Sequence, residues 1–232
     1  MSLIVVVFII GSIVVVGGVV GLAVVLIVNS NKRSKERAAG LTQYAHERGW
    51  RFTPSLERLG VAFQGHPFAG AFRPEYRSVV EGTYGDWPFI AFDFSVEDRR
   101  HDMDDPRSRT NYAIVAMHLG ANVPFLELQS QNSIGSSFER LFGTEITIGN
   151  PEFDNRYYIN GDSQQFTREL LTPRMCSLLL QLQDRGWRFE GQSLLTFSRD
   201  HLSPALVEDR LASMRAVLSE VPPPVWERIH AR

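Results

Sequence analysis

Leu3 to Val28 reads LIVVVFIIGSIVVVGGVVGLAVVLIV, a run without a charged residue in which Ser12 is the lone polar side chain. A helix needs about 20 apolar residues to cross a hydrocarbon core of ~30 Å, so this run spans with room for tilt. In lipid the backbone must satisfy its own hydrogen bonds, so the many Val and Ile residues do not argue for a strand. A cleaved signal peptide would carry a basic start, a shorter apolar stretch and a small-residue cleavage site. Here no Lys or Arg precedes the run, and Asn29-Ser30-Asn31 does not resemble Ala-x-Ala. Lys32, Arg33, Lys35 and Arg37 follow at once. Positive charge stays on the cytoplasmic side, which sets the N-terminus outside and the rest of the chain inside. The expectation is a single-pass anchor over 1–30 in an inner or plasma membrane, then a basic juxtamembrane segment over 31–40. Gly17 and Gly21 form a Gly-x-x-x-Gly pair, a spacing that lets two membrane helices approach and dimerise, although glycine is also simply frequent in such helices. The four basic residues set topology, and could also attract anionic headgroups.

Beyond the anchor, the chain is long enough to bury a core without disulfides or metals. A formal charge of -2 gives no electrostatic footprint for nucleic acid. Cys176 is the single cysteine, which excludes an intramolecular disulfide. Among the 24 basic residues only Lys32 and Lys35 are lysine, a skew that reads as the codon bias of a GC-rich bacterial genome.

The pattern predicts an α+β domain over 41–221: a curved antiparallel sheet with flanking helices. Residues 34–48 suit a helix stopped by Gly49, and Trp50 to Phe52 begin a strand that Pro54 ends. Strands over 77–84 and 87–97 flank Gly85-Asp86, a two-residue hairpin connection. Within the second, Ile90, Phe92, Phe94 and Val96 share one face of a half-buried sheet, with Ala91, Asp93 and Ser95 opposite. Strands over 111–119 and 124–130 are separated by Gly120-Ala121-Asn122, and 145–148 and 156–160 are shorter candidates. Short, closely spaced strands argue for antiparallel pairing. Thr172-Pro173 opens a helix to 185, with Met175, Leu178, Leu179 and Leu182 on one side. Strands over 187–190 and 193–198 follow, then a helix from Ser203-Pro204 to about Ser219. Pro222-Pro223-Pro224 breaks it before a short amphipathic tail over 222–232. The phrase Arg-Gly-Trp-Arg-Phe occurs twice, at 48–52 and 185–189. It reads as local structure or as the trace of a duplication.

Tyr44, Ala45, Gly49, Trp50 and Phe52 form a Tyr-Ala-x-x-x-Gly-Trp-x-Phe phrase that resembles uncharacterised membrane-anchored proteins of actinobacteria. The segments Pro151-Glu152-Phe153-Asp154, Gly161-Asp162 and Leu170-Leu171-Thr172-Pro173 are similar to an uncharacterised bacterial domain carried by membrane proteins. The resemblance implies a soluble domain behind an N-terminal helix and brings no activity with it.

Chemistry is sparse. The densest polar stretch, Glu97 to Arg109, holds His101, Asp102, Asp104 and Asp105, which could bind a hard cation. Its spacing is not that of a calcium loop, and Arg99, Arg100, Arg107 and Arg109 would repel a cation. Mixed charges between two strands usually mean a solvated hairpin loop; a protein-docking loop through Arg99, Arg100, His101, Asp102, Asp104 and Asp105 is the functional alternative, ahead of a metal site. No nucleophile elbow, zinc-protease helix or phosphate loop is present. Cys176 falls in an apolar helical run, and the six histidines lack ligand spacing. Phe63, Phe68, Phe72, Trp87, Phe89, Phe92 and Phe94 could line a pocket, but their alternation favours core packing. The expectation is a non-enzymatic, membrane-tethered interaction or scaffold module without cofactor or metal, contacting a membrane or cell-envelope protein or a second copy of itself. The alternative is a lipid- or small-ligand-binding domain held at the membrane.

Overall fold

The computed structural model describes residues 32–60, 63–97, 109–130, 146–182 and 186–230. It divides into two units, 1–40 and 41–232. Of the first, residues 32–40 are described. They are helical and mostly exposed, with Lys32 3.9 Å from Glu36 one turn on.

The second unit opens with the end of that helix (α1, 32–47), where Leu41, Tyr44 and Ala45 are buried. Gly49, at φ +68°, turns the chain into the first strand, as its place in the sequence predicts. Six strands then make one antiparallel sheet: β1 (Arg51–Leu56), β2 (Phe72–Tyr84), β3 (Trp87–Glu97), β4 (Arg109–Ser130), β5 (Tyr157–Gly161) and β6 (Gly186–Ser198). The hairpin of β2 and β3 forms where expected, with Tyr84 opposite Trp87 and Gly85 at φ +61°, the sign a type II′ turn requires at its first central residue. Pro54 does not end β1. Among the described residues that strand pairs with β2 alone, and an edge strand tolerates the missing N–H.

Two expected breaks are bends within continuous strands. Gly120-Ala121-Asn122 lies inside β4, which runs 22 residues, and Gly191 lies inside β6. Both glycines have positive φ (+74° and +56°), and the β4–β6 register shifts on either side of the pair Val123–Gly191. The sequence signal for a turn is thus spent on paired bulges, which bend a sheet without ending it. Residues 146–148 are not a strand; Ile146 donates a single backbone bond to the carbonyl of Ile159.

One face of the sheet carries the main core. Val80, Phe89, Ala91, Val115, Met117, Leu126, Leu128, Trp187 and Phe189 meet helices α2 (Pro151–Arg156), α3 (Gln164–Leu170), α4 (Pro173–Gln181), α5 (Pro204–Ser219) and α6 (Pro223–His230). The side chains of Asn150, Ser163, Thr172 and Ser203 accept from backbone N–H groups in the first turns of α2 to α5. Asp93 lies on this face because it accepts the Leu202 N–H at 2.7 Å, just ahead of α5. The proline run does end α5, yet Pro223 opens α6, an eight-residue helix that buries Val225 and Ile229. Proline lacks only a donor that a helix start would leave unpaired. What reads as a tail is part of the core.

The face of Phe92 and Phe94 is not the half-buried sheet's main core. It forms a second, smaller cluster with Val79, Tyr112 and Ile114, and the β1–β2 connection lays Leu59, Phe63, Phe68 and Ala71 over it. The aromatic residues therefore fill cores on both faces, except Phe72, which is exposed.

Candidate functional site

At the bend, between α3 and α6, lies a groove of about 570 Å³, within the ~300–1,000 Å³ range of small-ligand sites. Its apolar lining is Val123, Phe166, Val225 and Ile229, all buried. Each is placed by a local device. Val123 follows the Gly120 bulge, Phe166 donates its N–H to the Ser163 cap at 3.2 Å, and Val225 and Ile229 are one turn apart on α6. Asn122, Gln165 and Gln192 supply amides, and Ser163, Arg228 and His230 also line it. Arg228 is ion-paired with Glu169, which also accepts the Gln165 amide at 3.0 Å. That pairing holds the Glu169 carboxyl below its usual range. His230 has Nδ1 2.9 Å from the Trp226 carbonyl, so Nδ1 carries the hydrogen. The groove thus joins buried apolar side chains to exposed amides, with one guanidinium nitrogen of its arginine held by Glu169.

On the opposite face sits a buried charged cluster. Arg188, with no exposed surface, stands directly across the ladder from Glu127 and donates to it through Nε at 3.1 Å. Its two terminal nitrogens also donate to the Gln64 and His66 carbonyls of the β1–β2 connection. Glu190 accepts the Gln64 N–H, and its other oxygen lies 3.7 Å from Arg188 without a hydrogen bond. Burial pushes the Glu190 carboxyl up. The connection is latched over the aromatic cluster by a charge, and Gly65 leaves room for it, since a Cβ there would sit 3.2 Å from the guanidinium. A third polar node joins α1 to α5. Glu208 accepts from Tyr44 at 2.6 Å, Arg48 at 3.0 Å and Tyr84 at 3.2 Å. The Tyr44 bond lowers the Glu208 carboxyl, while burial and then Glu208 itself raise the Tyr44 phenol.

The residues singled out in the sequence do not converge on the groove. The run 3–28 with Gly17 and Gly21, and the loop residues Arg99, Arg100, His101, Asp102, Asp104 and Asp105, lie outside the described residues. Among the described residues no helix is long and apolar enough to cross a membrane. Lys32, Arg33 and Lys35 are exposed on the helical segment 32–40 and Arg37 is partly so. Cys176 is buried and its thiol is pushed up to about 11 by burial. The groove residues carried only faint signals: the Val225/Ile229 spacing after a proline run, and a serine three residues before Phe166.

No protein-family model matches the chain, and no curated protein matches it. Among solved structures it is similar to the crystal structure of the mycobacterial trehalose monomycolate transport factor A, TtfA. The TM-score is 0.57 at 12% identity, over 80% of this chain and 96% of that one. At that identity the likeness establishes a shared fold, with an actinobacterial protein.

Proposed function

We propose that this protein is a membrane-tethered factor of cell-envelope lipid transport that holds an amphiphile in the groove at the bend of its sheet. The likeness to TtfA, a trehalose monomycolate transport factor whose crystallised chain is covered almost end to end, carries this reading. The apolar run 3–28 and the basic residues behind it support a single-pass anchor, N-terminus outside, with residues 41–232 at the inner membrane face. Tethering makes even a modest contact with lipid or a membrane partner productive, because it raises the local concentration. The role is one of binding and assembly and needs no catalytic step. A scaffold contact with a transport protein is compatible with it, through the loop 97–109 or the Gly17/Gly21 helix face.

The test is to isolate the full-length protein from its native membrane after crosslinking and to identify bound lipids and proteins by mass spectrometry. A stoichiometric envelope lipid, or a transporter crosslinked to the chain, is the expected result. Recovery without either, from membranes in which the envelope lipid is being exported, would overturn the proposal.

A further inference from the structure

We infer that α6 is a movable wall of the groove, held shut in this structure by Glu169 and Trp87, and that an alkyl chain enters by displacing it; this rests on the ligand-binding reading above. Val123, Phe166, Val225 and Ile229 line the groove, yet they are 8%, 6%, 3% and 7% exposed. They belong to one buried cluster, so a chain laid in the groove as it stands touches little of them. Burial of apolar area is what would hold such a chain. α6 packs on β4 and α3, and separating it from them uncovers Val225 and Ile229 on one side and Val123 and Phe166 on the other. The helix is built to separate. It buries two side chains, against seven for α5, and elements with few buried contacts open at the least free energy. Pro222, Pro223 and Pro224 join it to α5 and have no N–H to donate, so this link does not tie α6 to α5 by backbone hydrogen bonds. The fixed φ of the prolines lets the helix move as a body. Its own first bonds run from the Val225 and Trp226 N–H groups to the Pro222 carbonyl, at 2.9 and 3.3 Å. A charged and an aromatic contact fasten it. Arg228 is ion-paired with Glu169 of α3, at 42% and 31% side-chain exposure. The Trp226 ring stacks on Trp87 of β3, with centroids 5.6 Å apart and planes at 25°. Both fastenings are partly exposed, so water replaces either one as it breaks.

The experiment reads hydrogen exchange by mass spectrometry on the full-length protein in nanodiscs. In the parent, amides 225–229 should exchange at least ~10-fold faster than those of α5 after correction for intrinsic rates. E169Q should speed them a further ~2- to 5-fold and leave α5 unchanged. For entry, E169C/R228C is bridged with a reducible bis-methanethiosulfonate; Cys176 is buried and does not compete. A thermal melt at or above that of the unbridged variant establishes that the bridged protein is folded. The probe is 1-decanol. At about ten times its dissociation constant it should slow exchange at 120–123 and 163–166 by about 10-fold in the unbridged variant. That protection should vanish with the bridge in place and return on reduction. Exchange of α6 no faster than that of α5, or indifferent to E169Q, would overturn the movable wall. Decanol that protects the bridged protein as well as the reduced one would overturn the inference while leaving the amphiphile reading in place. Decanol that protects neither form, although α6 opens as expected, would overturn the amphiphile reading and the entry route with it.

Discussion

Replacing Arg188 by methionine tests the latch on the second face. Methionine replaces the aliphatic stem and removes the guanidinium, so Glu127 and Glu190, 8% and 10% exposed, lose their shared cation. The Gln64 and His66 carbonyls lose their donors as well. Removing one partner of a buried ion pair costs about 3–5 kcal/mol, mostly for the charge left behind. Against a typical total of ~5–15 kcal/mol the variant would fold but be marginal. Its pH dependence has a definite sign. Burial already raises the folded-state pKa of Glu190 in the parent, and losing the nearby cation raises it further. Such a group favours the folded state below the unfolded value and loses that contribution as pH rises through the folded one. The penalty should therefore be largest at pH 7 and shrink toward pH 4.5.

The assay is urea unfolding of the full-length protein in nanodiscs, followed by fluorescence of Trp50, Trp87, Trp187 and Trp226, all in the second unit. Hydrogen exchange should show faster exchange over 63–71 with β3 unchanged. The apolar triple variant R188M/E127L/E190L should recover to within ~1–2 kcal/mol of the parent, because no unpaired charge remains. A cost below ~1 kcal/mol for R188M at pH 7 would overturn this account of the latch. So would a triple variant as unstable as R188M, which would put the energy in the strap's hydrogen bonds and not in the charge balance.

Three other perturbations probe separate links. A Cβ at Gly82 would lie 2.3 Å from the Trp50 ring, which Tyr44, Tyr84 and Phe89 hedge in, so G82A should cost about 1–3 kcal/mol and shift the Trp emission. Glu208 is held low first by the Tyr44 hydrogen bond, so its contribution is present above the unfolded carboxyl value and lost as pH falls through the folded one. At 41% exposure solvent limits that contribution to ~1 kcal/mol, so E208Q should melt below the parent at pH 7 and alongside it at pH 3.5. Cys176, its thiol pushed to about 11, should hold only about one thiolate per thousand at pH 8, so a thiol reagent should react only as fast as the domain opens. Rapid labelling of the native protein would place Cys176 outside the core.

Local patterns in this chain were legible where a single stretch decides the outcome. The Gly49 stop, the Gly85-Asp86 hairpin and the Thr172 and Ser203 caps all depend on neighbours in sequence. What no local pattern could decide is which face an element ends on. The repeated Arg-Gly-Trp-Arg-Phe shows this with identical residues. Arg51 points out from an edge strand, 78% exposed beside Glu81, while Arg188 is wholly buried and organises a cluster. Their difference comes from partners far away in the chain: β1 has one neighbouring strand, whereas β6 meets β4 on the sheet and the β1–β2 connection above it. The groove was hidden for the same reason, since its lining comes from β4, α3, β6 and α6.

The paired bulges explain why the charged latch and the groove exist together. Along β4 the residues facing the helices are Ala113, Val115 and Met117 before the bend, then Leu126 and Leu128 after it. Along β6 they are Trp187 and Phe189, then Leu194. The alternation changes parity in both strands, and a one-residue slip in either alone would turn its apolar residues to the wrong face. Because the two shifts coincide at Val123 and Gly191, the helix-facing surface stays apolar through the bend. On the reverse face the same step carries the ladder from Ile114 and Phe197 to Glu127 and Arg188. That face is thus half aromatic and half charged, and its cover must supply both Phe63 and Phe68 for one half and bare backbone carbonyls for the other. On the helix side the bend residues 120–124 share the lining of the groove with α3 and α6. A Gly-Ala-Asn between two apolar strands is therefore as consistent with a bend as with a turn.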